Sequence, residues 1–174
     1  AAAMGGQGRL VACDTNRDRL QRLTPRAQRA GVFDIETRLL NPGQEAQQLA
    51  DLSGQADLVL IDAPCSGSGT LRRNPEARWR LTPDRLDRLT ALQAHVLSLG
   101  APLVKPGGIL VYAVCSLIEA EGAAGIEAFL EANGDWQVEE LSGLPGRPDG
   151  VGKRLTPAHD GTDGFFVARL ARRC

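Results

Sequence analysis

Two cysteines and an aspartate stand where strand patterns stop. In LVLIDAPCSGSGTLRRNPEARW, Leu58 to Trp79, a run of strand formers ends at Asp62, and Pro64, Cys65 and a glycine-rich turn follow at once. In LVYAVCS a second strong run ends at Cys115. A thiol nucleophile must be partly exposed and its thiolate favoured. A strand end supplies the exposure, and a following helix start could supply a positive dipole. The commonest fate of a lone cysteine is structural burial. Two cysteines at facing strand ends could instead form a disulfide, which a reducing cytosol disfavours. Asp62 could accept hydrogen bonds from a base edge carrying an amino group, as carboxylates do with cytosine N4. Pro64 would hold the chain extended, and Gly67 and Gly69 would let a flat ligand approach. The segment is not a P-loop, because the Gly-Lys-Ser/Thr ending is absent. Arg72, Arg73, Arg78 and Arg80 lie around Trp79. That combination suits phosphate contact and stacking, although a solvated surface also carries such arginines.

Two further polar residues fall at strand ends. RLVACD ends in Asp14, and an acid there can hold two ribose hydroxyls. Asn41 follows the weaker run IETRLL. Between these runs, TNRDRLQRLTPRAQRAG reads as a helix capped by Thr15 or Asn16 and stopped by Gly31, with Pro25 expected to kink or restart it. NPGQEAQQLADL gives a turn and a short helix. DLVLID is apolar on both faces, as a central parallel strand should be. Thr82, Pro83 and Asp84 open a long helix in the favoured order of cap, first-turn proline and acid, running to about Gly100. KPGGILVYAVCS is a turn and a strand, and EAEGAAGIEAFLEANG is a helix weakened by its glycines. Two late strands are expected around Trp136 to Leu141 and Phe165 to Leu170, joined by a glycine- and proline-rich loop. This alternation argues for an α/β fold, a mostly parallel sheet with helices on both faces. Ligands in such sheets bind outside the carboxyl ends of the strands. Asp14, Asn41, Asp62 and Cys115 are therefore expected on one rim.

Composition narrows the setting. The 174 residues are 43% hydrophobic and 24% charged, with a net charge of −1. That is an ordinary globular balance for one domain over residues 1–174. No run approaches the ~20 apolar residues of a membrane span. The start AAAMGGQGRL lacks the basic segment and length of a signal peptide. The four cysteines show no CxxC and no metal-ligand spacing, so a thiol–disulfide enzyme and a metal centre are not expected. A cytoplasmic, reduced protein is the default.

Three ordered motifs resemble the RNA (cytosine-5)-methyltransferases related to the Sun and nucleolar p120 proteins. They are DAPCSGSGTLRRNPEARW, LVYAVCSLIEAEG and RLTPAHDGTDGFFVARL. The bacterial small-subunit ribosomal RNA branch is the most similar. The resemblance covers nearly the whole chain. It implies a Rossmann-like class I fold, S-adenosylmethionine as methyl donor, and a cytosine in structured RNA as acceptor, ribosomal rather than transfer RNA. It implies Cys115 as the thiol that adds to the base and Cys65 as the group that helps release the product. Asp62 would hold the cytosine edge and border the donor, Asp14 would bind the donor's ribose, and Asn41 would face its adenine where the family carries an acid. An amide oxygen can accept the same bond without charge. A non-catalytic remnant that binds RNA or a partner is the rival reading. An amino-methyltransferase would have Asn/Asp-Pro-Pro-aromatic in place of DAPC.

The chain also departs from that pattern. Val114 replaces a usual Thr, and EAEG carries Gly122 where an Asn is usual, suggesting a looser helix start. AAAMGGQG resembles the tail of a helix and a turn rather than the donor-binding loop. The first strand with its glycine-rich loop, and an N-terminal RNA-binding region, are therefore expected to be missing. The missing strand would lie between the strands ending at Asp14 and Asp62, leaving unpaired backbone groups. Three outcomes are expected: a longer parent chain, direct pairing of the two neighbours, or another chain filling the slot.

Overall fold

The structure is a computed structural model that describes residue 4 and residues 7–174. Gly5 and Gly6, half of the GGQG turn, lie outside the described residues, as do residues 1–3. The chain divides into two compact units, residues 1–51 and 52–174.

In the first unit, β1 (Val11–Asp14) and β2 (Glu36–Leu39) pair in parallel, with Asp14 opposite Leu39. Between them runs α1 (Arg17–Arg29). Asn16 caps it by accepting from the Arg19 amide at 3.1 Å. Pro25 does not restart this helix, which runs unbroken through it. Gln21 and Pro25 are both exposed, so water can satisfy the carbonyl that the proline leaves without a donor. Gly31, at φ +74, takes the left-handed turn that stops the helix. A short α2 (Glu45–Gln48) follows β2.

The second unit holds a six-stranded mixed sheet. β3 (Ala56–Asp62) pairs in parallel with β4 (Val104–Val114), which pairs antiparallel with the C-terminal strand Phe165–Arg172. Between β3 and β4 lies α3 (Pro83–Gly100), opened as expected by Thr82 and Pro83. Gly100 lets the helix end pass close to β3: a Cβ would sit 2.8 Å from Ile61 Cδ1, and that methyl group would have to move. After β4 come α4 (Ala123–Ala132) and β5 (Trp136–Val138). The expected long loop instead contains a hairpin, β6 (Arg147–Asp149) and β7 (Gly152–Leu155), then one turn of helix, α5 (Pro157–Asp160). The hairpin turn is Gly150-Val151, with Gly150 at φ +53, a two-residue loop with glycine in its first position. With the C-terminal strand as β8, the order is β3-β4-β8-β7-β6, and β5 also pairs β8.

The core is Ile61, Leu110, Tyr112, Val114, Ile126, Phe166 and Leu170 with their neighbours. β3 corrects one expectation. Among the described residues it pairs only with β4, and Leu58 and Leu60 are 58% and 63% exposed. It is an edge strand of this sheet, not one buried on both faces. Direct pairing of the strands ending at Asp14 and Asp62 is not among the described pairings.

Candidate active site

In the second unit the two cysteine motifs leave the same end of a parallel strand pair. Asp62 lies opposite Ala113, and the Ala63 amide continues the ladder by donating to the Ala113 carbonyl at 3.0 Å. The chain segments that follow bring Cys65 Sγ and Cys115 Sγ to 3.4 Å. Both thiols are free and partly buried. Asp62 is exposed beside them, close enough for its charge to act on Cys115.

The pair is electrostatically asymmetric. With Cys65 donating, its hydrogen bond lowers the Cys115 pKa from 9.0 to about 7, against burial and the charges of Asp62 and Glu121. The same bond, followed by burial, pushes the Cys65 thiol up. A neighbouring thiol therefore does what a helix dipole was expected to do. α4 begins only at Ala123, after the turn Glu119–Glu121, and not directly after Cys115.

The two loops are locked together by backbone contacts. The Gly69 amide donates to the Cys115 carbonyl at 3.0 Å, and the Gly164 amide donates to the Gly69 carbonyl at 2.8 Å. A Cβ on Gly69 would lie 2.0 Å from Gly164 O. Gly67 adopts φ +71. These glycines serve the chain's own turns and close approach. Gly122 is likewise not loose: a Cβ there would meet Phe166 Cγ at 2.9 Å.

Sequence reasoning missed the group beneath the sulfurs. Glu121 is fully buried. Its carboxylate accepts from Ser66 N at 2.7 Å, Ser66 Oγ at 2.5 Å, Ser116 Oγ at 2.6 Å and Gln93 Nε2 at 3.1 Å. Gln93 Nε2 also donates to the Pro64 carbonyl at 2.9 Å, and Tyr112 Oη donates to the Glu121 carbonyl at 2.9 Å. The available signal was the dipeptide Cys-Ser, which occurs at both cysteines. A serine beside each sulfur offers one hydroxyl per loop to a shared acceptor.

The basic segment is partly self-satisfied. Arg73 Nε and Nη2 hold Asp163 Oδ2 at 2.6 and 2.5 Å, fastening this segment to the loop before β8. Arg80 pairs with Glu76 at 3.3 Å, and the Arg78 guanidinium lies 4.4 Å over the Trp79 ring. Trp79 is 75% exposed, and Arg72 is exposed. An exposed aromatic ring beside exposed arginines is thus present, with Arg73 drawn away from it by Asp163.

The first unit places its two expected residues at one end of the β1–β2 pair. Asp14 Oδ1 accepts from the Asn16 amide at 2.8 Å, and its Oδ2 lies 3.7 Å from Arg19. Asn41 is exposed just past β2, its amide donating to Gln48 Oε1 at 2.7 Å.

This arrangement has known counterparts. NSun6 from Pyrococcus horikoshii, solved with SFG, matches with a TM-score of 0.85 at 26% identity, over 99% of this chain and 43% of that one. A methyltransferase homolog protein from the same organism matches with a TM-score of 0.78 at 29% identity, over 97% and 55%. The fold is the Rossmann-like fold of S-adenosylmethionine-dependent methyltransferases. Within that class the chain belongs to the family described as 16S rRNA methyltransferase RsmB/F, whose model matches residues 1–171. A probable ribosomal RNA small subunit methyltransferase B of Synechocystis is 42% identical over 180 residues, 99% of this chain and 39% of that protein. The ribosomal RNA small subunit methyltransferase B of Xanthomonas campestris is 38% identical over 95% of this chain and 38% of its own length. The chain spans about two fifths of these curated relatives. Among the described residues no helix is long and apolar enough to cross a membrane.

Proposed function

We propose that this chain carries the catalytic centre of an enzyme that methylates carbon 5 of a cytosine in small-subunit ribosomal RNA, through a covalent cysteine adduct. The observation that carries the reading is the pair of free sulfurs 3.4 Å apart, just past the ends of two adjacent parallel strands. One thiol is made ready to attack while the other is kept protonated.

Carbon 5 of cytosine is a weak nucleophile. The Cys115 thiolate adds to carbon 6, forming an S–C bond and moving the ring's electron pair toward carbon 5. Asp62, exposed at the end of β3, accepts from the base's amino group. S-adenosylmethionine, the donor the family's name and fold favour, supplies an electrophilic methyl group. Asp14 and Asn41 would hold it. A carboxylate offers about four acceptor sites, and Asp14 spends one on the Asn16 amide, so hydroxyls of a ribose fit the remainder. Product release needs the carbon 5 proton removed and the S–C bond broken, returning the Cys115 thiolate. Once Cys115 is a thioether it no longer holds the Cys65 proton. The principal cause that raises Cys65 is gone, so Cys65, only partly buried, gives its own proton to water and the resulting thiolate takes the carbon 5 proton.

The test uses the full-length protein with RNA carrying 5-azacytosine at the target. Trapping of a covalent complex is expected, and Cys115→Ala abolishes it. Cys65→Ala instead accumulates an adduct with ordinary RNA. Reversal of the two behaviours would overturn the role assignment, and no trapping by the unaltered protein would overturn the reaction.

A further inference from the structure

We infer that Glu121 is a positioning residue whose carboxylate, by holding Ser66 and Ser116 together, sets the separation of the Cys65 and Cys115 sulfurs. Cys65 and Cys115 stand 50 residues apart on different loops, with no disulfide joining their sulfurs. Each is followed directly by a serine whose hydroxyl ends on the same oxygen, Glu121 Oε2, at 2.5 and 2.6 Å. The other oxygen takes the Ser66 amide at 2.7 Å and the Gln93 side chain at 3.1 Å. Through Gln93 the clamp reaches the Pro64 carbonyl at 2.9 Å, so the residues on both sides of Cys65 are tied to it.

All four partners donate, so the side chain works there purely as an acceptor. A fully buried carboxylate is costly unless its acceptor sites are filled. Here the filling comes from the two cysteine loops, the long helix α3 and a single backbone amide. Ser68 extends the set, with its hydroxyl 2.9 Å from Ser116 Oγ and accepting from the Leu117 amide at 3.0 Å. Nothing in the packing of an apolar core demands a glutamate at this point. What it accomplishes is registration of two loops, and the atoms adjacent to the registered ones are the sulfurs.

The inference rests on the proposed methylation only for its consequence in turnover, so the test has an arm that does not. In a glutathione buffer the thiol pair reacts with glutathione disulfide to give an intramolecular disulfide and two glutathione thiols. Its equilibrium constant reads how well the sulfurs are juxtaposed, and mass spectrometry after alkylation quantifies it. Glu121→Ala in the full chain is expected to lower that constant at least about tenfold, since small displacements of oriented groups are costly. Glu121→Gln keeps the shape and lets the hydroxyls turn to accept, so it is expected to stay near the unaltered protein. If Glu121→Ala does not fold, the double variant Ser66→Ala, Ser116→Ala removes the clamp while leaving the carboxylate, and the same fall is expected. In the methylation arm kcat falls in the Ala variant and recovers in the Gln variant, with KM for RNA unchanged. A folded Glu121→Ala protein, or the double serine variant, with an unchanged thiol equilibrium would overturn the inference. A shifted equilibrium in a protein that methylates nothing would support the positioning role and sink the proposed reaction instead.

Discussion

Removing the Cys65 thiol should change not only whether Cys115 reacts but at which pH. The hydrogen bond from Cys65 is the largest influence on Cys115 and the main one that lowers its pKa. Burial, Asp62 and Glu121 all act in the opposite direction. In Cys65→Ala the Cys115 pKa is therefore expected to return from about 7 to its ordinary 9.0 or above. At pH 7 the thiolate fraction then drops from about one half to about 1%, a loss of about fiftyfold. A more basic thiolate is also a better nucleophile, by about six- to tenfold for two units. The net fall in alkylation rate at pH 7 is about five- to eightfold. Above the crossing point, near pH ~8, the variant should be the faster of the two. Iodoacetamide alkylation followed peptide by peptide measures this, because Cys13 and Cys174 are exposed and also react. Cys115 curves with the same midpoint in both proteins would refute the claim that Cys65 donates to Cys115.

Two further outcomes follow from contacts at the same loops. Gly122→Ala pushes a methyl group to 2.9 Å from Phe166 Cγ and should cost about 1–3 kcal/mol in thermal unfolding. Gly69→Ala, facing a backbone carbonyl at 2.0 Å, should cost more and weaken thiol pairing as well. Trp79→Ala should leave stability within about 0.5 kcal/mol, as an exposed substitution does. It should weaken RNA binding by about 1–3 kcal/mol if a base stacks there. Parallel melting and filter-binding measurements separate the two effects.

The strand ends were legible because periodicity and punctuation agree there. LVLID and ILVYAV are apolar runs stopped by polar residues, and Thr82-Pro83-Asp84 states a helix start in three letters. The pairing of Cys65 with Cys115 was also reachable, since parallel neighbours end on one side of a sheet. Three things were not. The β6–β7 hairpin lies in a segment whose glycines and prolines read as loop, and it is β8, paired with β7, that holds it in the sheet. Gln93 lies buried on α3 while Leu92 is 43% exposed, a reversal that no hydrophobic period predicts. Glu121 is one of two glutamates in EAEG, and only the fold says which one turns inward. In each case a tertiary partner, absent from the local sequence, decides the outcome.

The two carboxylates nearest the sulfurs illustrate how one chemical group serves opposite ends. Asp62 is exposed, so a substrate can displace the water it holds. Glu121 is fully buried and water does not compete for its acceptor sites. Exchanging those environments would spoil both. An exposed clamp would trade its serines for water and let the loops drift, and a buried Asp62 could meet no base. A cysteine has a single χ angle before its sulfur, so backbone placement fixes the sulfur to within a rotamer. Apolar packing tolerates small shifts of a loop, whereas hydrogen bonds converging on one oxygen from two loops do not. A reaction that needs one sulfur to make a bond and the other to take a proton from the adjacent carbon demands that smaller tolerance. The buried acid meets it at a point where the core itself could not.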